Sequence, residues 1–243
     1  MRYNDFMVDL KNISPHNLWY VIGYIATDGN LSKDGRHINI TSKDRNHLIK
    51  LRKALNINNK IGAKTRGGSK LKNYYYLAFG DIRFYKYLTS IGLVPKKSQK
   101  LEKINVSDKF FPDFLRGVID GDGCISTWIN KNNKRRQWSI RVTSAAPQFI
   151  NWLKMTVENL FSIRGRLYCY LYPNKNPIYI LKFGKLPSKI IIYKIYREKN
   201  CLKLKRKSEK AKKCLQDENK MLNYSGVVRP GAGTGRQPGL KIQ

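Results

Sequence analysis

An apolar run that ends in Asp-Gly occurs twice in this chain, and the repetition restricts the fold more than any other feature. Leu18 to Gly29 reads LWYVIGYIATDG, and Phe114 to Gly123 reads FLRGVIDGDG. Aligned on Gly23 and Gly117, the copies match Ile25 with Ile119, Asp28 with Asp122, Gly29 with Gly123 and Ser32 with Ser126. A helix with a glycine in its apolar face can approach another backbone closely, and a terminal glycine stops it and turns the chain. Two such helices packed through Gly23 and Gly117 would bring Asp28 and Asp122 together at a shared C-terminal end. That end of a helix carries partial negative charge and the carboxylates repel each other, so the arrangement calls for a cation between them. A hard divalent ion takes one or two carboxylates and keeps positions for water and phosphate. The pair therefore reads as a metal-dependent phosphodiester site. Each Asp-Gly taken singly is a turn dipeptide after a helix; two copies in one context favour the site.

The flanking segments repeat as well. Ser14-Pro15 opens the first motif helix and Phe111-Pro112 the second. After Gly29, a strand at Asn30 to Lys33, an Asp34-Gly35 turn and a strand at His37 to Ser42 form a hairpin. Asp44 caps a helix whose stripe is Leu48, Leu51 and Leu55. Lys60 to Arg66 and Tyr74 to Phe79 pair across a Gly-rich turn, and Asp81 to Ile91 closes the unit. The second half repeats this order: strands at Ile125 to Ile129 and Gln137 to Ser144, a helix at Pro147 to Phe161, strands at Gly165 to Tyr172 and Ile178 to Phe183, and a helix at Pro187 to Tyr196. The expected fold class is α+β, two pseudo-symmetric αββαββα units, each an antiparallel four-stranded sheet with helices on one face. The units span 1–97 and 112–222, joined by a polar linker at 98–111 and followed by a flexible Gly- and Pro-rich tail at 223–243.

The opposite face of each sheet carries the second signal. Alternation places Lys60, Lys64 and Arg66 against Ile61 and Ala63, and Ser139, Arg141 and Thr143 against Ile140 and Val142. Arg166, Tyr168, Tyr170 and Tyr172 stand against Leu167, Cys169 and Leu171; Lys182 joins the polar set from the last strand. A solvated sheet face is also polar, strand by strand. A surplus of Arg, Lys, Thr and Tyr on the same face in both halves suits a sheet laid in a DNA major groove. Overall charge agrees, since 48 Lys and Arg against 16 Asp and Glu leave a formal net charge of +32, which calls for a polyanionic partner. The segment lacks a run of about 20 apolar residues that a membrane span needs, and the N-terminus lacks the apolar core of a secretion signal. These features predict a soluble intracellular protein, in a bacterial cytoplasm or an organelle. The 4 Cys have no CxxC spacing, and Cys124 and Cys169 are expected to be core thiols.

GYIATDG and GVIDGDG resemble the two motifs of a single-chain LAGLIDADG homing endonuclease. Ala26 stands where that signature has its first Asp and Asp120 keeps it, while the later acid is present in both copies. The resemblance covers roughly residues 14 to 215. It implies two sheets forming a saddle over double-stranded DNA, with the motif helices at the centre. It also implies hydrolysis of one phosphodiester on each strand of a long asymmetric target, leaving 3′ overhangs, by a monomer. Two or three Mg²⁺ or Mn²⁺ ions would be shared by Asp28 and Asp122 with backbone carbonyls near Thr27 and Gly121. The repeat aligns KKSQK with RKSEK, making Lys97 and Lys207 the cations near the site. Lys43 either acts in catalysis or phosphate positioning, or is a solvated residue beside a helix start; the second copy has Ala145 there. Two readings of another class use the same scaffold: an RNA maturase acting on intron RNA, and a DNA-binding protein that does not cut.

Overall fold

The computed structural model describes residues 8–65, 73–173, 176–198 and 200–216. Arg66, expected at the end of a strand, and the tail at 223–243 lie outside the described residues. The first unit runs α1 (Pro15–Asp28), β1 (Gly29–Leu31), β2 (His37–Ser42), α2 (Arg45–Ala54), β3 (Ile61–Lys64), β4 (Tyr74–Gly80) and α3 (Ile82–Ser90). A short α4 (Lys97–Lys100) follows. The second unit runs α5 (Phe111–Gly121), β5 (Gly123–Ile129), β6 (Arg136–Ser144), α6 (Pro147–Phe161), β7 (Arg166–Tyr170), β8 (Ile178–Phe183), α7 (Lys185–Tyr196) and α8 (Lys205–Gln216). Both sheets are four-stranded and antiparallel, with matching orders β1-β2-β4-β3 and β5-β6-β8-β7. The fold is therefore α+β and duplicated.

Local chemistry explains the helix starts. Asp44 accepts from the backbone N–H of His47 at 3.0 Å, and Asp81 from that of Phe84 at 2.9 Å, each satisfying a donor that a first turn otherwise leaves unpaired. Proline opens α1, α5 and α6, where a missing N–H costs nothing. Ser14 occupies the cap position of α1, but its side chain makes no capping bond. Helix α1 is buried from Leu18 through Ala26, as an apolar helix enclosed by both units must be.

Three segments depart from expectation. The region taken as a polar linker holds α4 and buries Leu101 and Ile104. The basic run after α7 is a full helix, because Lys207, Ser208, Ala211 and Cys214 fall on one face that packs inward. Cys124 and Cys169 are exposed rather than core thiols, and Leu171, two residues after Cys169, is exposed as well. Cys124 pairs across the sheet with Arg141 and so shares the open face. Cys169 lies on β7, an edge strand beyond the reach of α6, which packs on β6 and β8.

Candidate active site

Helices α1 and α5 cross where their glycines meet. A Cβ added at Gly23 would stand 2.1 Å from the carbonyl oxygen of Phe114, and one at Gly117 would stand 2.1 Å from that of Tyr20. Any larger side chain would push the two backbones apart. The crossing brings the C-terminal ends of both helices together: a Cβ at Gly121 would overlap Thr27 Oγ1 and lie 3.6 Å from Asp28 Oδ2. Asp28 is the last residue of α1 and half-buried, and Asp122 caps α5 and is exposed. Burial, followed by the negative charge of Asp122, pushes the Asp28 carboxyl up to about 6; Lys207, Tyr24 and Lys97 pull it the other way. Each motif helix thus delivers its carboxylate to one electrostatic neighbourhood.

A lysine closes each helix end. Lys97 Nζ donates to the carbonyls of Thr27 (3.1 Å) and Gly29 (2.5 Å). Lys207 Nζ donates to those of Ile119 (2.6 Å), Asp120 (2.7 Å) and Gly121 (2.8 Å). These carbonyls include ones that a helix C-terminus leaves without an intrahelical partner, and the ammonium groups oppose the negative end of each dipole. Burial lowers the pKa of Lys97 and brings that of Lys207 down to about 8, while the nearby carboxylates hold both up. Beside them a cleft of about 330 Å³ is lined by Thr27, Lys97, Asp122, Thr143 and Ser144.

A divalent ion fits the carboxylate pair, which needs only a few protein ligands beside water and phosphate oxygens. The backbone contribution differs from expectation, because the carbonyls of Thr27 and Gly121 already accept from Lys97 and Lys207. Among the described residues, no cluster of three or more His, Cys, Asp and Glu side chains offers another site.

A second polar group stands two residues back on α5, on its opposite side. Asp120 is fully buried and accepts from the Tyr20 hydroxyl (2.7 Å), the Tyr196 hydroxyl (2.6 Å) and the backbone N–H of Leu204 (2.8 Å). Burial raises its pKa, and these bonds oppose the rise. Tyr20 also reaches His47 Nε2 at 3.1 Å, and burial depresses that imidazole to about 4. Arg116 is buried too, donating to the carbonyls of Leu202 (2.8 Å) and Ile195 (2.7 Å) and to Asp113 Oδ1 (2.6 Å). Together these bonds fix the chain between α7 and α8, and hence Lys207. The signal in the sequence was an acid and a cation within an apolar helical run, at positions where the first copy has Ala26 and Ile22.

The sheet residues divide. Lys60, Arg141, Thr143, Arg166, Tyr168 and Tyr170 are exposed on the open faces, and Lys182 is half-buried. Lys64 donates to Thr41 Oγ1 at 2.8 Å, and Arg141 to Ser126 Oγ at 3.4 Å. Ser139 does not reach the surface as expected: it is buried, because Lys182 on β8 reaches across β6 to the Trp128 ring on β5, 5.7 Å away. Lys43 is exposed and stands 5.1 Å over the Tyr74 ring. No described helix is long and apolar enough to cross a membrane.

Comparison with known proteins agrees with this architecture. Residues 15–92 match the family model described as a LAGLIDADG-like domain. Among solved structures, the chain is similar to meganuclease I-SmaMI bound to uncleavable DNA, at 13% identity and TM-score 0.56, covering 85% of this chain and 93% of that one. It is also similar to the homing endonuclease I-WcaI bound to its DNA recognition sequence, at 12% identity and TM-score 0.55, covering 82% and 87%. A third likeness is to the N-terminal LAGLIDADG domain of DUF199/WhiA, at 16% identity and TM-score 0.51, covering 84% and 91%. No curated protein matches the sequence.

Proposed function

We propose that this protein is a site-specific endonuclease of double-stranded DNA, built on a duplicated fold similar to solved LAGLIDADG proteins and matching a LAGLIDADG-like domain over residues 15–92. The observation that carries this reading is the convergence of Asp28 and Asp122 at the ends of two crossing helices, each end closed by a lysine. DNA-bound relatives of the same fold support it, as does the net charge of +32.

Asp28 and Asp122 would hold Mg²⁺ or Mn²⁺, which would supply Lewis acidity and lower the pKa of a bound water. Asp28 must be deprotonated to bind the ion, and Lys97 and Lys207 favour that state. Both lysines also fix the helix ends, so the two carboxylates stay at one spacing beside the scissile phosphates and place positive charge near developing negative charge. No side chain needs to act as nucleophile. The open sheets grip the duplex through Lys60, Lys64 and Lys43 in the first unit. Arg141, Thr143, Arg166 and Lys182 do so in the second. Because the two faces differ in sequence, the target is long and asymmetric; one chain suffices, and one phosphodiester per strand is hydrolysed to leave 3′ overhangs.

One observation favours a second reading, a binder that does not cut, acting on DNA or on intron RNA as a maturase. The lysines already oppose the charge at both helix ends without an ion, and the fold is shared with the DUF199/WhiA domain. Incubating the protein with a randomised duplex pool and Mg²⁺ or Mn²⁺, then sequencing the ends, separates the two. Defined cuts that vanish in both Asp28→Asn and Asp122→Asn are expected. Selective retention of nucleic acid with no cut under either ion overturns the endonuclease reading in favour of the binder.

A further inference from the structure

The two open sheet faces use their tyrosines differently. On the first sheet, Tyr76 pairs across the strands with Gly62 on one side and Thr41 on the other. Its ring lies against Gly62, where an added Cβ would stand 2.3 Å from the ring, and the Lys64 ammonium is 5.9 Å from its centroid. Tyr74, on the same face, is covered by Lys43 at 5.1 Å. Tyr74, Tyr75 and Tyr76 are all at least partly buried.

On the second sheet, Tyr168 and Tyr170 are exposed by 37% and 46%, and among the described residues neither ring packs against another ring or a cation. They pair across the strand with Ile180 and Ile178, both half-buried, so that two tyrosines and two isoleucines form an apolar strip. Arg166 pairs with Lys182 at one end of that strip, and Lys182 pairs in turn with Arg141. A strip of bare rings with Arg166 at one end is unexpected in a chain this polar, and it matches a ligand with flat apolar faces and a regular negative backbone.

Duplex DNA does not present such faces, because its bases are stacked and show only their edges in the grooves. Residues two apart on one strand face lie about 6.7 Å apart, twice the rise of about 3.4 Å between stacked bases of one strand. Each ring can therefore take a base only after the bases have come apart. We propose that the β7 edge of the second sheet is a stacking platform for unpaired nucleotides, with Tyr168 and Tyr170 each receiving one base and Arg166 and Lys182 holding the adjoining phosphates. The platform goes beyond duplex cleavage. It gives this face a ligand of its own: a single strand, whether RNA or displaced DNA.

The test measures binding of labelled oligo(rU) and oligo(dT), and of a duplex of equal length, to the full chain by fluorescence anisotropy without divalent ions, so that failure to cut leaves the result interpretable. Tyr168→Leu with Tyr170→Leu should weaken single-strand binding by at least about tenfold, given the usual worth of a base on an aromatic ring, while duplex affinity changes less than about twofold. The Phe pair, which keeps the rings, should restore binding and exclude misfolding as the cause. Arg166→Gln with Lys182→Gln should weaken every ligand and flatten the salt dependence. Equal losses with rU and dT identify any unpaired strand as the ligand; loss with rU alone identifies RNA. A parallel loss for single strand and duplex, or no loss at all, overturns the proposal.

Discussion

The two motif helices cross through the same glycine contact and yet hold their C-terminal ends by different means. At α1 the residues that precede and follow the crossing on the buried side are Ile22 and Ala26, and the end is closed by Lys97. Lys97 itself comes from the short α4, entered through Lys96 in a left-handed conformation (φ 53°). At α5 the matching positions are Arg116 and Asp120, which fasten α7, the chain before α8 and Tyr20 of α1 into one buried polar group. Asp28 is half-buried near Tyr24, whereas Asp122 is exposed. What the duplication has kept is the steric requirement, two backbones in contact with one carboxylate apiece. Support behind the carboxylates has diverged, apolar in one half and polar in the other.

Breaking the polar support should have the largest effect. Asp120→Ala leaves the Tyr196 hydroxyl and the Leu204 N–H without an acceptor and Tyr20 with His47 alone, and at about 1–3 kcal/mol for each of the two buried groups left unpaired the loss should reach about 2–6 kcal/mol. Ala26→Gly, at the matching place in α1, should cost only about 1 kcal/mol. Urea unfolding of both variants measures the difference. Equal costs would mean that the polar group does not hold the second unit together.

Next come the lysines. Lys207 is buried with three carbonyl acceptors and Lys97 half-buried with two. Lys207→Met should therefore destabilise by about 2–3 kcal/mol and Lys97→Met by about 1–2 kcal/mol, in line with bonds made by charged donors. Cleavage should fall in the same order. The reverse order in either measurement would show that the supports are not ranked by burial.

Much of this contrast was present in the sequence, but in unequal parts. The crossing, the strand order and the paired acids follow from the repeat itself, because Gly23, Gly117, Asp28 and Asp122 keep their spacing while their surroundings change. Lys97 and Lys207 were found by the same alignment, though not that they close the helix ends: that depends on where α4 and α8 return in space. Asp120 was visible as a departure between the copies, while its partners Tyr20, Tyr196 and Leu204 lie far apart in sequence and carry no pattern that joins them. Ser139 failed for a related reason. Alternation assigns a residue to a face and does not reveal that a lysine on the neighbouring strand will reach over it to a tryptophan on the far side.

The carboxylates themselves can be separated by pH. Asp28 titrates near 6 in the folded chain and near 4 when unfolded, so between these values the folded state holds the extra proton. The contribution of Asp28 to the stability of the ion-free protein should thus be greatest below about pH 4 and fall as pH rises toward 6, while His47, depressed to about 4, contributes in the opposite sense over the same range. Asp28→Asn should flatten this slope. Asp122→Asn should move its upper limit downward, since the charge of Asp122 is part of what raises Asp28. Adding Mg²⁺ should stabilise the protein more at pH 7 than at pH 5, where protons compete for the same carboxylate. Thermal melts at both values with and without the ion test this. An ion effect independent of pH would place the ion away from Asp28.

The smallest expected effect lies at Tyr24. Its hydroxyl donates to Ser42 Oγ at 3.2 Å and stands near Asp28, favouring the ionised carboxylate, and the second copy has Val118 in its place. Tyr24→Phe should cost only about 0.5–1.5 kcal/mol of stability, the usual worth of one such bond. It should also raise the Asp28 pKa further. Under the endonuclease reading, the two strands should then be cut at rates that diverge near pH 6 and converge near pH 8. Supercoiled plasmid carrying the target reports this as nicked circles that accumulate before linear product. If Tyr24→Phe slows both strands equally at every pH, the phenol acts through packing of the first unit, and the difference between the two halves does not extend to their chemistry.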